Sequence, residues 1–161
     1  MSVSVEKIYA FIDSQNLNLG VKSLGWKLDW RKLRQYLRNK YNVTKAYLFI
    51  GYLPGNEALY TSMQKKDYIV ILKPTMGLPS GKVKGNVDAE LVLHTMIEYD
   101  NYSKAIIISG DGDFFCLVEY LVKKQKLLRL ITPNINYSRL FKQYSSFIVR
   151  MDQLRGSLEY K

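Results

Sequence analysis

The chain has 161 residues, 47% of them hydrophobic and 24% charged, which is enough for one domain with a real core and too few for two of ordinary size. Lys and Arg outnumber Asp and Glu 24 to 14, a formal net charge of +10 that suits a polyanionic partner such as nucleic acid, with plain solubility as the alternative. No apolar run approaches the roughly 20 residues of a membrane span, and no cleavable signal pattern opens the chain.

The single Cys116 cannot form a disulfide within the chain and lies in an apolar helical pattern, so it reads as a small core residue. These features point to a cytoplasmic protein with no membrane partner. In chain order, residues 5–13 predict a first strand that ends at Asp13. The Asn- and Gly-rich stretch after it predicts a short helix or loop. Asp29 is a candidate N-cap for a helix with Trp30, Leu33 and Leu37 on one face and Arg31, Arg34 and Arg38 on the other. Residues 46–52 predict the second strand. Asn56 follows a Pro-Gly break and can cap a helix carrying Leu59, Tyr60 and Met63. Residues 68–73 predict the third strand, and residues 74–87 form the longest irregular stretch, holding Lys82 and Lys84.

Asp88 opens a helix with Leu91, Val92, Thr95 and Met96. Residues 105–109 predict the fourth strand, running into Ser109-Gly110-Asp111-Gly112-Asp113, where two glycines permit a tight turn. An amphipathic helix with Phe114, Leu117, Val118, Leu121 and Val122 follows. Residues 127–131 predict a fifth strand stopped by Thr132-Pro133-Asn134; a last helix over 138–146, a short strand and a polar tail complete the chain. Apolar strands alternating with helices argue for a parallel sheet covered on both faces. Common doubly wound orders set strands one and four side by side, with Asp13 and Asp111 facing each other across the crevice.

Asp88 shares its helix face with Leu91 and Val92, so it should point inward at the sheet edge. At about 100° per residue, Glu90 is turned about 200° from it and His94 about 240°, toward solvent. Each acid also has a local role open to it: Asp88 or Asp113 as a helix N-cap, Asp13 as the cap of the Asn-rich segment, Asp111 in a tight turn. As a cluster, several carboxylates need a cation or raised pKa values. Oxygen-only donors select hard ions such as Mg²⁺ or Mn²⁺, which can polarise a phosphate and activate water. A calcium loop starting at Asp111 would want glutamate at its twelfth position, where Val122 stands. Asn16 and Ser109 are polar neighbours able to orient a carboxylate or a phosphate. Lys82 and Lys84 can hold a substrate backbone, and a solvated loop is the alternative.

The segments FIDSQNL (residues 11–17), KGNVDAEL (84–91), SGDGDF (109–114) and SRLFKQYSSFI (138–148) together resemble the NYN-domain family, in its LabA-like (DUF88) branch of the PIN-like nuclease superfamily. The resemblance spans nearly the whole chain. SGDGDF after an apolar strand is its most specific piece. Ser14 stands where the family usually has glycine, and Asn86 is inserted in the middle motif. The resemblance implies a single PIN-like, Rossmann-like domain over residues 1–161: an α/β/α three-layer sandwich with a mostly parallel central sheet. It implies a Mg²⁺- or Mn²⁺-dependent endoribonuclease acting on RNA or another nucleic acid, with its oligomeric state open and a homodimer among the options. It assigns the acidic, metal-holding cluster to Asp13, Asp88, Asp111 and Asp113, with Asn16 and Ser109 supporting. The rival readings are a regulatory nucleic-acid-binding domain of the same fold and a metal-dependent phosphatase or receiver domain. A nucleophilic-aspartate phosphatase would want its paired aspartates after strand one, and here they follow strand four.

Overall fold

Apolar runs alternate with amphipathic stretches to give β1 (Ile8–Asp13), α1 (Ser14–Lys22), α2 (Trp30–Tyr41), β2 (Val43–Gly51), α3 (Glu57–Lys65) and β3 (Ile69–Lys73). Two short antiparallel strands follow, β4 (Met76–Gly77) and β5 (Val83–Lys84), then α4 (Asp88–Ile97), β6 (Lys104–Ile108), α5 (Phe115–Lys123) and β7 (Leu127–Thr132). The chain closes with β8 (Ile148–Arg150) and α6 (Arg155–Leu158), and short 3-10 helices join several of these elements. The computed structural model describes residues 6–74, 76–77, 83–84 and 86–161. Lys82 lies outside the described residues, as does the side chain of Lys84.

Six strands form one sheet in the order β3-β2-β1-β6-β7-β8, every neighbouring pair parallel. The chain steps outward from β1 to β3, then returns to place β6 against the other side of β1. Ile8 to Ile12 pair in register with Lys104 to Ile108. The order therefore reverses between β1 and β6, and open α/β sheets leave a crevice at that point, outside the carboxyl ends of the strands.

Side chains alternate across a strand, so β1 feeds two cores. Ile8, Ala10 and Ile12 pack with Leu17 and Val21 of α1, Leu33 and Leu37 of α2, and Met63 of α3. Tyr9 and Phe11 pack on the other face with Leu91 of α4 and with Leu117, Val118 and Leu121 of α5. These two cores make the three layers.

Several local expectations change. The segment after Asp13 is a full nine-residue helix, because Asp13 caps it and Leu17 and Val21 give it a buried face. The stretch over Arg139–Phe147 is 3-10 rather than α-helical and is kinked at Tyr144. The tail buries Met151 and Leu158 completely, so it closes the first core. Cys116 is exposed: α5 turns its neighbours Leu117 and Val118 inward instead. Arg34 belongs to the buried side of α2, only 2% exposed. Its guanidinium donates to the carbonyls of Asp67 at 3.0 Å, Val43 at 3.2 Å and Thr44 at 3.4 Å, and pairs with the Asp67 carboxylate at 3.0 Å.

Replacing Arg34 strands those carbonyls without donors. Arg34→Met should therefore lower the unfolding free energy by about 3 kcal/mol in urea titration. Arg38→Met, at a 51%-exposed side chain that shares the same carboxylate, should cost well under about 1 kcal/mol.

Candidate functional site

The alternation that splits the core also aims the acids. Asp13 lies two residues beyond Phe11, so it ends β1 on the α4–α5 side of the sheet. Ser109 follows Ile107 on the neighbouring β6 with the same phase. Asp88 is the first residue of α4, three before the buried Leu91, and comes down on that side too. One carboxylate oxygen from each of Asp13, Asp88 and Asp111 lies within 4.8 Å of the other two. Asp13 is 5% exposed, whereas Asp88 and Asp111 are half-buried.

Local hydrogen bonds hold each acid. Asp13 Oδ1 caps α1, accepting from the Asn16 amide at 3.2 Å. Asn16 uses its side-chain oxygen on the other strand end, accepting from the Gly110 amide at 2.9 Å. The fully buried Ser109 hydroxyl accepts from the Asp111 amide at 3.1 Å and, beside the Asp13 carboxylate, favours its charged form. Asp111 Oδ1 accepts from the Asp113 amide at 2.9 Å, capping the 3-10 turn Gly112–Phe114. For Asp13 and Asp111 capping and clustering coexist: a carboxylate has two oxygens and the cap takes one. Asp88 caps nothing. Its own amide donates to the Asn86 side chain at 2.8 Å, which satisfies the first amide of α4, while the N-cap position, Val87, offers no side-chain bond.

Asp113 is not part of the triad. The turn buries Phe114 and leaves Asp113 exposed at the rim, near enough to Asp88 to raise its pKa. Glu90 and His94 stay out of the cluster without being solvated as expected. Glu90 is half-buried beside Lys73 of β3 at 3.6 Å, and the His94 ring packs 5.6 Å from that of Phe49.

Gly110 and Gly112 matter for space and not for a left-handed backbone, since neither has a positive φ. A Cβ on Gly112 would lie 2.5 Å from Ser138 Oγ, and one on Gly110 would lie 3.3 Å from Tyr137 Cβ. The Ser138 amide donates to the Gly110 carbonyl at 3.0 Å. The segment after β7 thus closes on the acidic turn. Lys73 braces the other side, its ammonium bonding the Asn86 carbonyl beside the start of α4. Tyr137, Ser138, Asn86 and Lys73 all shape the site. Only Asn86, two residues before a helix start, carried a capping signal in the sequence.

The crowding alters proton affinity. Burial, followed by the Asp111 charge, raises the Asp13 pKa. Burial, the Asp111 charge and the hydrogen bond with Asp113 push Asp88 up to about 6.

A profile of the NYN domain matches residues 7–152, most of the chain. The chain belongs to the NYN-domain family. Its relatives include the low amplitude and bright protein LabA of Synechococcus elongatus, 22% identical over 99% of this chain and 91% of that protein. The fold matches the crystal structure of VPA0982, a Vibrio parahaemolyticus protein of unknown function, with a TM-score of 0.80 and 20% identity over 99% of each chain. The family places this NYN domain within the PIN-like nuclease superfamily, the frame expected from the motifs, with LabA-like kinship and the α/β/α sandwich. Among the described residues, no helix is long and apolar enough to cross a membrane.

The triad of this NYN domain fits a divalent cation. Its donors are all carboxylate oxygens, the class that hard ions prefer, and they lie close enough together to converge on one ion. Burial first and the Asp111 charge second raise the Asp88 pKa, and a cation beside the carboxylates would oppose both.

The linkage has a definite sign. Asp88 holds its proton more tightly folded than unfolded, so its contribution is fully present below the ordinary value of 3.8 and is lost as pH rises through about 6. Metal-free protein should therefore lose stability between those values. Asp88→Asn should remove most of that dependence and raise stability at pH 7.5 by about 1 kcal/mol, an amount discounted for solvent screening. Thermal melts in EDTA across this pH range measure both.

Proposed function

We propose that this NYN domain is an endoribonuclease that hydrolyses RNA phosphodiester bonds with Mg²⁺ or Mn²⁺ held by Asp13, Asp88 and Asp111. The observation that carries this reading is the convergence of three carboxylates from three separate elements within 4.8 Å, in a chain of net charge +10. A protein that only bound polyanions would gain nothing from a focused negative site on a basic body. A divalent ion at the triad would activate water and neutralise charge on the scissile phosphate.

The chain's own residues supply the remaining roles. Ser109 and Asn16 keep Asp13 and the Gly110 turn in place, acting through the acids without touching the substrate. Asp113, exposed at the rim beside Asp88, is placed to orient water or to help hold a second ion. Lys82 and Lys84, in the segment leading to α4, are the proposed point charges for the RNA backbone.

Mixed-sequence RNA incubated with Mn²⁺ or Mg²⁺ should be cut internally, and EDTA should stop the reaction. Asp13→Asn and Asp111→Asn should each slow cleavage by at least about 100-fold, and Ser109→Ala by about 10-fold, spanning the range for groups that orient metal ligands. Cleavage that survives chelation or either Asp→Asn change overturns the mechanism. Tight RNA binding with no product in any cation selects the regulatory binding domain instead.

Excess Mn²⁺ should also stabilise the fold, by about 2.7 kcal/mol at a hundred times its dissociation constant. Asp88→Asn should erase most of that gain in a thermal shift measured without RNA.

A further inference from the structure

A cavity opens at the carboxyl ends of β1 and β2, on the face of the sheet away from α4. It holds about 650 Å³, inside the range of about 300–1,000 Å³ typical of small-ligand sites. Its apolar part includes Leu48 and Ile50 of β2 and Trp30 at the start of α2. Trp30 is half-buried and fixed: its ring packs nearly perpendicular to Tyr68, centroids 6.0 Å apart, and its carbonyl accepts from the Tyr68 hydroxyl at 2.6 Å. An aromatic ring already packed against a neighbour pays less entropy to stack on another ring.

The polar part comes from α1. Ser14, Gln15 and Asn18 line the cavity, while Asn16 on the same helix reaches the Gly110 turn beside the acids. One helix therefore presents side chains to both places. Amide side chains both donate and accept, as base edges require. Lys27 and Lys66 also line the cavity and outnumber its one acid, Asp29, so the wall is net positive. Gln15 and Asn18 are exposed to solvent, so their amides are free to turn toward a polar ligand edge.

We propose that this cavity binds one unpaired nucleobase, stacked on Trp30, with Gln15 and Asn18 at its edge and Lys27 and Lys66 toward the flanking phosphate. That the base belongs to the RNA being cut rests on the ribonuclease reading; the pocket chemistry is the same for a free nucleotide.

The chain has two tryptophans, and Trp26 is 5% exposed, so Trp26→Phe leaves Trp30 as the sole indole reporter. The probes are adenosine monophosphate, a short unstructured oligoribonucleotide, and the same oligonucleotide with single abasic positions, all titrated in EDTA. Saturable quenching of Trp30 is expected from the base-bearing probes. Leu59, at the cavity wall and 45% exposed, can be enlarged without disturbing the core. Leu59→Phe should weaken binding by at least about tenfold, the scale of one base stack on an aromatic ring.

Tighter binding of the oligonucleotide, lost at one abasic position, assigns the base to a strand. Binding of the monophosphate alone assigns it to a free nucleotide. Both support the pocket. No quenching by either probe, indifference to Leu59→Phe, or equal binding of abasic and intact strands overturns it. Calorimetric titration of the unaltered chain with the same probes gives the same comparison should Trp26→Phe fold poorly. Chelation silences the acid cluster throughout, so loss of base binding leaves the cleavage assay to judge the nuclease on its own, and absence of cleavage leaves this titration intact.

Discussion

Mutual repulsion among Asp13, Asp88 and Asp111 is the constraint on which the rest of the site depends. Three carboxylates within 4.8 Å, one of them almost wholly buried, would separate if they were free to move. They stay together because each backbone is anchored by something other than the acids. Asp13 ends the central strand, pinned on both sides by parallel neighbours. Asp111 is fixed by the Ser109 hydroxyl at its amide and by its own cap on Asp113. Asp88 is carried by a helix whose start is held through Asn86 and Lys73. The scaffold imposes the repulsion, and a bound cation is its natural relief.

That anchoring makes the cluster a property of the whole sheet edge. The segment after β7 closes on Gly110 and Gly112 so tightly that a methyl group at Gly112 would meet Ser138. Pro133, in the same segment, approaches Gly20 of α1 at a distance that leaves no room for a Cβ. One segment thereby braces both the turn and the helix that flank the acids. Pre-organisation of this kind is what positions like charges for a reaction without waiting for a ligand to assemble them.

Helix α1 joins the chemistry to recognition. Capped by Asp13, it turns Asn16 toward the acids and Ser14, Gln15 and Asn18 toward the Trp30 cavity. The cap therefore sets the helix phase for both sites. A shift in the register of α1 would disturb the acid cluster and the cavity together.

The strands and the order of the layers were legible in the sequence because a strand buried on both faces must be apolar throughout, and glycine, proline and asparagine mark its ends. Periodicity also made Asp88 legible: its spacing from Leu91 is a local helical fact that folding does not alter. The fate of Arg34, Asp113, Glu90, His94 and the tail was not legible in this way. Arg34 followed the charged stripe of α2, but the carbonyls that pull it inward come from Val43, Thr44 and Asp67. Asp113 shared its motif with Asp111, and burial of Phe114 rotated it to the rim. The sequence by itself determined which residues are acidic, which runs are apolar, and where the chain turns. Only the tertiary structure decided which carboxylates meet, because that depends on β6 returning to the side of β1 and on contacts between residues far apart in the chain.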